Sequence, residues 1–293
     1  MTRTATPEDV LAGRARWCVV EGDSIALLAS LPDRCVDAVV TDPPYSSGGT
    51  SMTARRQSTS SKYTSGGASV APDFGGDQMD QWSWMLLARE WLGDARRITD
   101  PVRGRLLCFT DDRQWSALQT AIQWAGWRWM GAAAWDKGDG VRAVPDGVRR
   151  QCEFIHWATI GPLPQPYEGC TVIPGCYRIP PPSNRSHQTE KPSDLMRQLA
   201  RLCVDDGVII DPFAGSGSTG VGALAQGRRV ILVERVPEYA AIARQRCEAA
   251  EAEALRAAQH PRELSPRPRV PNGGVQEFSV LVRAPYATPP EGA

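Results

Sequence analysis

Short apolar runs that each stop at an acid set the strongest limit on what this chain can fold into. Trp17-Cys18-Val19-Val20 leads to Gly22-Asp23, and Val36 to Thr41 ends at Asp42. Leu106-Leu107-Cys108-Phe109 leads to Thr110-Asp111, Val208-Ile209-Ile210 ends at Asp211, and Val230-Ile231-Leu232-Val233 ends at Glu234. Unbroken runs of Val, Ile and Leu suit parallel strands buried on both faces. Helical patterns separate them. Residues 78–97 carry Trp82, Met85, Leu86 and Leu92, and residues 237–259 are rich in alanine and glutamate. Residues 192–203 start with Pro192 at a first helical position and set Leu195, Met196, Leu199 and Leu202 on one face. Strands alternating with helices predict an α/β chain with a doubly wound, mostly parallel sheet. The runs at 127–135 and 153–159 predict an antiparallel pair at its edge. In such sheets ligands bind at the carboxyl ends of the strands, so one shared cleft would explain the repeated acids.

Two of those ends carry distinctive sequences. Thr41-Asp42-Pro43-Pro44-Tyr45 follows one strand, and its prolines cannot continue a sheet. Residues 211–220 read DPFAGSGSTG, with Gly215-x-Gly217-x-x-Gly220 opening a helix and Glu234 ending the next strand 23 positions after Asp211. The glycine spacing alone fits a dinucleotide site. Asp211 argues otherwise, because a carboxylate there would repel a pyrophosphate. It would attract a ligand with a cationic amino group and a sulfonium. S-adenosylmethionine has both, with a ribose for Glu234 and an adenine for Asp23. The plainer readings are polar strand termination for Asp211 and Glu234, and turn chemistry for Asp23.

Taken together, these motifs resemble the amino-methyltransferases of DNA, in the permuted group that places DPPY before the glycine motif. The resemblance spans about residues 15–250. It rests on GDS at 22–24, TDPPY at 41–45, WDK at 135–137, HQTEKP at 187–192, DPFAGSGSTG at 211–220 and the strand end at Glu234. It implies a Rossmann-like methyltransferase sheet of seven strands within one domain, residues 1–259. The strands before Asp42 and Asp211, 169 positions apart, should then be neighbours where the winding reverses. It also implies S-adenosylmethionine contacts from Asp23, Lys191, Asp211, Phe213, Gly215, Gly217 and Glu234. Lys191-Pro192 would begin the helix over the methionine end, and His187 would be a structural hydrogen-bonding residue.

The implied reaction answers why Asp42, Pro43, Pro44 and Tyr45 stand together. The exocyclic amine of adenine is a poor nucleophile, its lone pair being delocalised into the ring. Asp42 and the carbonyl of Pro43 would accept its N–H groups, and the proline rings fix that carbonyl's direction. Tyr45 would stack on an extruded base. The implied activity is site-specific methylation of adenine N6 in double-stranded DNA, by in-line displacement after base flipping. Cytosine-N4 methylation is the alternative, although relatives of that kind more often have serine in place of Asp42. An inactive DNA-binding relict is a more distant one.

Partners and placement follow from composition. Formal net charge is zero, so DNA contact must rest on local patches. Residues 46–72 are rich in Ser, Thr and Gly and carry Arg55, Arg56 and Lys62 without an acid, as either a flexible DNA-contacting loop or a plain insertion. Residues 138–186, with Arg149 and Arg150 among their arginines, stand where the permuted order puts target recognition. Residues 260–293 read as a proline-rich, disordered tail. The eight cysteines form no Cys-x-x-Cys pair and read as reduced thiols, not a zinc site. No apolar run reaches membrane length, and MTRTATPEDV lacks a signal core, which predicts a cytoplasmic protein. A monomer or homodimer, with or without a cognate restriction endonuclease, fits the sequence equally.

Overall fold

The computed structural model describes residues 4–44, 79–141, 147–163, 171–182 and 190–259. Tyr45, the 46–72 segment with Arg55, Arg56 and Lys62, His187 and the 260–293 tail lie outside the described residues.

Among the described residues, eight strands form one sheet. They are β1 (Trp17–Glu21), β2 (Ala38–Thr41), β3 (Arg105–Thr110), β4 (Arg128–Asp136), β5 (Cys152–Thr159), β6 (Cys176–Arg178), β7 (Val208–Asp211) and β8 (Arg229–Glu234). Their order is β1-β8-β7-β2-β3-β5-β4-β6. Only β5 runs against its neighbours, pairing antiparallel with both β3 and β4. The doubly wound sheet expected from sequence is therefore present, with one strand more than the expected seven. The extra one is β6, three residues parallel to β4 and buried only at Tyr177. Three residues are too few to show a period, so sequence did not reveal it. It also makes β6 the edge strand and moves the antiparallel β4–β5 pair one place inward.

The helices are α1 (Pro7–Leu11), α2 (Ser24–Ser30), α3 (Gln81–Ile98), α4 (Trp115–Trp124), α5 (Ser193–Ala200), α6 (Ser218–Ala225) and α7 (Pro237–Gln259). Alternate residues of each central strand feed opposite cores, as the pleat requires. Leu106, Cys108 and Ile210 pack with Leu28, Leu92 and Leu118 of α2–α4. Leu107, Phe109 and Ile209 pack with Leu195, Ala223 and Ala243 of α5–α7. Each fully buried Leu or Ile contributes about 1.5–3 kcal/mol over an exposed one. Because both faces are covered, the strands read as unbroken apolar runs.

Two local expectations change. In α3 the buried stripe runs through Trp84, Met85, Ala88, Trp91, Leu92, Ala95 and Ile98, while Trp82 and Leu86 are 74% and 57% exposed. At 100° per residue, those two fall on the opposite side from Trp84 and Trp91. Pro192 stands one residue before the first turn of α5, as its cap.

From β2 the chain winds through α3 to β3, towards one edge of the sheet. From β7 it winds through α6 to β8, towards the other. The reversal falls between β2 and β7, which pair in parallel. Asp42 and Asp211 therefore end adjacent strands.

Candidate functional site

A cleft of about 600 Å³ opens at the carboxyl ends of the parallel strands. Asp23, Asp42, Asp111, Asp211 and Glu234 all line it, one from each of five strand ends. Pro43, Pro44, Lys191, Phe213 and Gly215 line it as well. The shared cleft inferred from the repeated acids is thus a feature of the fold.

One half is built on the turn after β7. Gly215 and Gly217 have φ of +51° and +82°, which side-chain-bearing residues rarely adopt. A Cβ on Gly217 would lie 2.9 Å from the Cα of Ala243 in α7, whereas one on Gly215 would meet nothing within 4 Å. Gly217 thus serves helix packing, and Gly215 keeps the backbone bare towards the cleft. On Gly220 a Cβ would lie 2.5 Å from Cys247 Sγ, so α6 sits close against α7. Glu234 fastens the turn: its two carboxylate oxygens accept from the backbone N–H groups of Gly215 and Val236, each at 2.8 Å. Burial raises the Glu234 carboxyl above its ordinary range against those hydrogen bonds. Phe213 meets Trp91 edge to face, with centroids 5.2 Å apart. Asp23 caps α2 by accepting from the N–H groups of Ile25 and Ala26 at 2.8 and 3.2 Å, and it also faces the cleft.

Asp211 is 3% exposed. Its Oδ1 accepts from the Thr41 hydroxyl at 2.7 Å and the Phe213 N–H at 3.0 Å, and its Oδ2 accepts from the Thr219 hydroxyl at 2.5 Å. Burial still outweighs these bonds and pushes its carboxyl up to about 6. Thr41 and Thr219 did not stand out in the sequence, although both lie inside quoted motifs. The Thr41 hydroxyl joins the DPPY strand directly to the glycine-motif strand.

The other half is built around Asp42. The Trp84 indole of α3 donates to the Pro44 carbonyl at 2.6 Å and so anchors the diproline. Lys191 Nζ lies 2.5 Å from Asp42 Oδ2 and 3.1 Å from Glu153 Oε2, and Lys137 Nζ lies 3.0 Å from Glu153 Oε1. The Lys191 ammonium also sits 5.0 Å from the Phe109 ring centroid and 5.8 Å from that of Trp135. Burial pushes the Lys191 ammonium towards the neutral form, but Asp42 and Glu153 more than offset that and its pKa is raised. Burial likewise opposes the Glu153 charge, yet Lys191 and Lys137 hold its carboxyl below the ordinary range. The resemblance set Lys191 among the cofactor contacts; here its ammonium is joined to Asp42. Glu153 was missed. Its only signal was one acid at the start of an otherwise apolar and aromatic strand, Cys152–Thr159.

The basic residues divide. Arg150 lines the cleft and lies 3.6 Å from Asp112, with both side chains about half exposed. The Arg149 guanidinium donates to the Asp139 carbonyl. No group of three or more His, Cys, Asp or Glu side chains suited to a metal occurs among the described residues, and their seven cysteines are free thiols. No helix among the described residues is long and apolar enough to cross a membrane.

The geometry has relatives. Residues 173–245 match the N6_N4_Mtase family, described as DNA methylase. YubD of Escherichia coli (strain K12) is 29% identical over 231 residues, covering 78% of this chain and 88% of YubD. Among solved structures, the M1.HpyAVI–SAM complex is similar with a TM-score of 0.56 at 19% identity, covering 78% of this chain and 98% of that one. The cytosine-N4-specific PvuII DNA methyltransferase is similar with a TM-score of 0.59 at 16% identity, covering 83% of this chain and 93% of that one. At those identities the structural matches establish the fold.

Proposed function

We propose that this chain, a methyltransferase of the N6/N4 DNA methylase family, moves a methyl group from S-adenosylmethionine to the exocyclic N6 of adenine in double-stranded DNA. The observation that carries the reading is the meeting of Asp42-Pro43-Pro44 and the Asp211 glycine turn on adjacent strands of one cleft.

The donor set suits the cofactor. Asp211 supplies negative charge for a cationic end, and the bare backbone at Gly215 leaves room for close approach. Glu234 supplies carboxylate oxygens for ribose hydroxyls, with Phe213 and Asp23 lining the same cleft. When bound, S-adenosylmethionine supplies an electrophilic methyl on sulfur.

The chain's own work is to aim the amine. Asp42 accepts an N–H of the target, and its charge helps the nitrogen as positive character develops there. The diproline, held through Trp84, fixes the direction of the backbone beside it. Base extrusion costs a few kcal/mol, offset by stacking and hydrogen bonds in the pocket. Tyr45 is assigned the stacking, Arg55, Arg56 and Lys62 are assigned phosphate contacts, and Arg149 and Arg150 are assigned DNA contacts in the target-recognition segment. Adenine is preferred over cytosine because position 42 is aspartate where N4 relatives more often have serine.

Nucleoside mass spectrometry of DNA treated with the protein and S-adenosylmethionine tests this. N6-methyladenine is the expected product. N4-methylcytosine alone would overturn the base assignment, and no methylated nucleoside would overturn the activity.

A further inference from the structure

We infer that Glu153 is a positioning residue for methyl transfer: it shares the ammonium of Lys191 with Asp42 and so fixes the direction and acceptor strength of Asp42 towards the target amine. The inference deepens the function proposed above and rests on it.

Four groups of alternating sign form one line along the cleft wall. Lys137 and Glu153 are 3.0 Å apart, Glu153 and Lys191 3.1 Å, and Lys191 and Asp42 2.5 Å. Glu153 gives one oxygen to each lysine, so it bridges them and is not the partner of one alone. The side chains are 6–20% exposed. Burying four charges is a poor way to gain stability, since apolar residues of similar volume usually do as well or better. A row of this kind beside a candidate catalytic carboxylate calls for another explanation.

Topology supplies the placement. β5 runs antiparallel, so its first residues, not its last, arrive at the cleft end of the sheet. Glu153 pairs in register with Trp135, next to Asp136 and Lys137. The faces of Phe109 and Trp135 close in on the Lys191 ammonium. Lys191 is left a narrow seat between two carboxylates.

The consequence is electrostatic. With Glu153 present, the ammonium is divided between two anions, and Lys137 balances the second. Without the Glu153 charge, Lys191 would be left paired with Asp42 alone. Asp42 would then be a weaker acceptor, and its carboxylate would turn towards the lysine. Lys191 would also lose one of the two carboxylates that keep it protonated. The groups facing it are Asp42 after β2 and Glu153 on β5, with Lys137 after β4 and Asp211 on β7 beyond them. Removing the Glu153 charge must therefore lower the pH at which Lys191 gives up its proton.

Glu153→Gln keeps the shape and removes the charge. Against wild type, kcat for DNA methylation should fall by roughly 100-fold, the scale of a small misalignment. KM for DNA and calorimetric affinity for S-adenosylhomocysteine should change little, while the melting temperature should fall, because Lys137 loses its carboxylate partner. The alkaline limb of the kcat profile should move to lower pH. The Lys191 Cε resonance, followed by NMR in lysine-labelled protein without ligand, should titrate at lower pH too. Glu153→Asp keeps the charge and should restore the wild-type limb even where kcat stays low. It also carries the test if the glutamine variant melts early. An active wild type with an unmoved limb and Lys191 titration in Glu153→Gln overturns the role of Glu153 alone. A loss of ligand affinity in parallel with kcat would make Glu153 merely structural and overturn it as well. A wild type that forms no methylated nucleoside overturns this inference together with the function it rests on.

Discussion

Asp211→Asn should make the protein more stable at neutral and alkaline pH, and not in acid. The wild-type carboxyl is pushed from 3.8 up to about 6, chiefly by burial. A raised carboxyl pKa means that the folded state binds a proton where the unfolded state has already lost it. Stability from this group is therefore highest below about pH 4 and falls as pH rises through about 6. Two pKa units correspond to about 3 kcal/mol, which is what the buried charge costs at pH 7 and above. Asparagine resembles the protonated acid. Its oxygen can still accept from Thr41 and from the Phe213 N–H, but its amide group meets the Thr219 hydroxyl that now donates at 2.5 Å. Reorganising that contact should cost about 1 kcal/mol, on the scale of one hydrogen bond. The net gain at pH 8 is about 1–2 kcal/mol, or roughly 2–8 °C in melting temperature for a chain of this size. Thermal melts by circular dichroism, without ligand, should show that gap at pH 8 and its reversal towards pH 4, where only the reorganisation cost of about 1 kcal/mol remains. A variant less stable than wild type at pH 8, or a gap independent of pH, would refute the reasoning. Calorimetry on the same variant should show weaker binding of S-adenosylhomocysteine, because the charge that destabilises the fold is the one assigned to the ligand.

Two further outcomes separate parts of the site. Asp42→Ala should abolish methylation while largely preserving calorimetric affinity for S-adenosylhomocysteine, and Asp211→Ala should weaken that affinity; equal losses in both would mean the two carboxylates are assigned the wrong way round. Gly217→Ala should lower the denaturant midpoint more than Gly215→Ala. Both place alanine at positive φ, at about 1–2 kcal/mol each, but only Gly217 adds a 2.9 Å clash with α7. Equal midpoints would show that α7 yields to the methyl group.

Much of the sheet was legible because its central strands are buried on both faces. Val39-Val40 and Ile209-Ile210 each send one residue to either core, so the runs are apolar throughout and their ends are plain. The acids mark those ends, and the cleft follows from parallel direction. What was not legible depends on direction reversed or on contacts far apart in the chain. Glu153 is one acid at a strand start, and only the antiparallel pairing of β5 with β3 and β4 brings that start to the cleft. Trp82 and Leu86 look like core residues by composition, but the angular position of Trp84 and Trp91 turns them outward. Lys191 stands beside Pro192 at a helix start, and nothing local shows that its ammonium reaches back 149 positions to Asp42.

Asp42 and Asp211 raise a problem that the fold answers in two ways. They end neighbouring strands, and each makes the other's charge less favourable, as the contribution of Asp42 to the raised Asp211 carboxyl shows. Two carboxylates so placed need different surroundings if they are to do different work. Asp211 receives hydroxyls and a backbone N–H, neutral donors that orient it without cancelling its charge. A cationic ligand can then add the missing positive charge, so that binding relieves what folding left unfavourable. Asp42 receives an ammonium, and a full cation would quench it as an acceptor if the pair were exclusive. Glu153 takes a share of that cation, and Lys137 balances Glu153 in turn. The row of alternating charges thus holds Asp42 beside a neighbour waiting for positive charge, which suits the roles proposed for them, one carboxylate aiming a nucleophile and the other holding the donor.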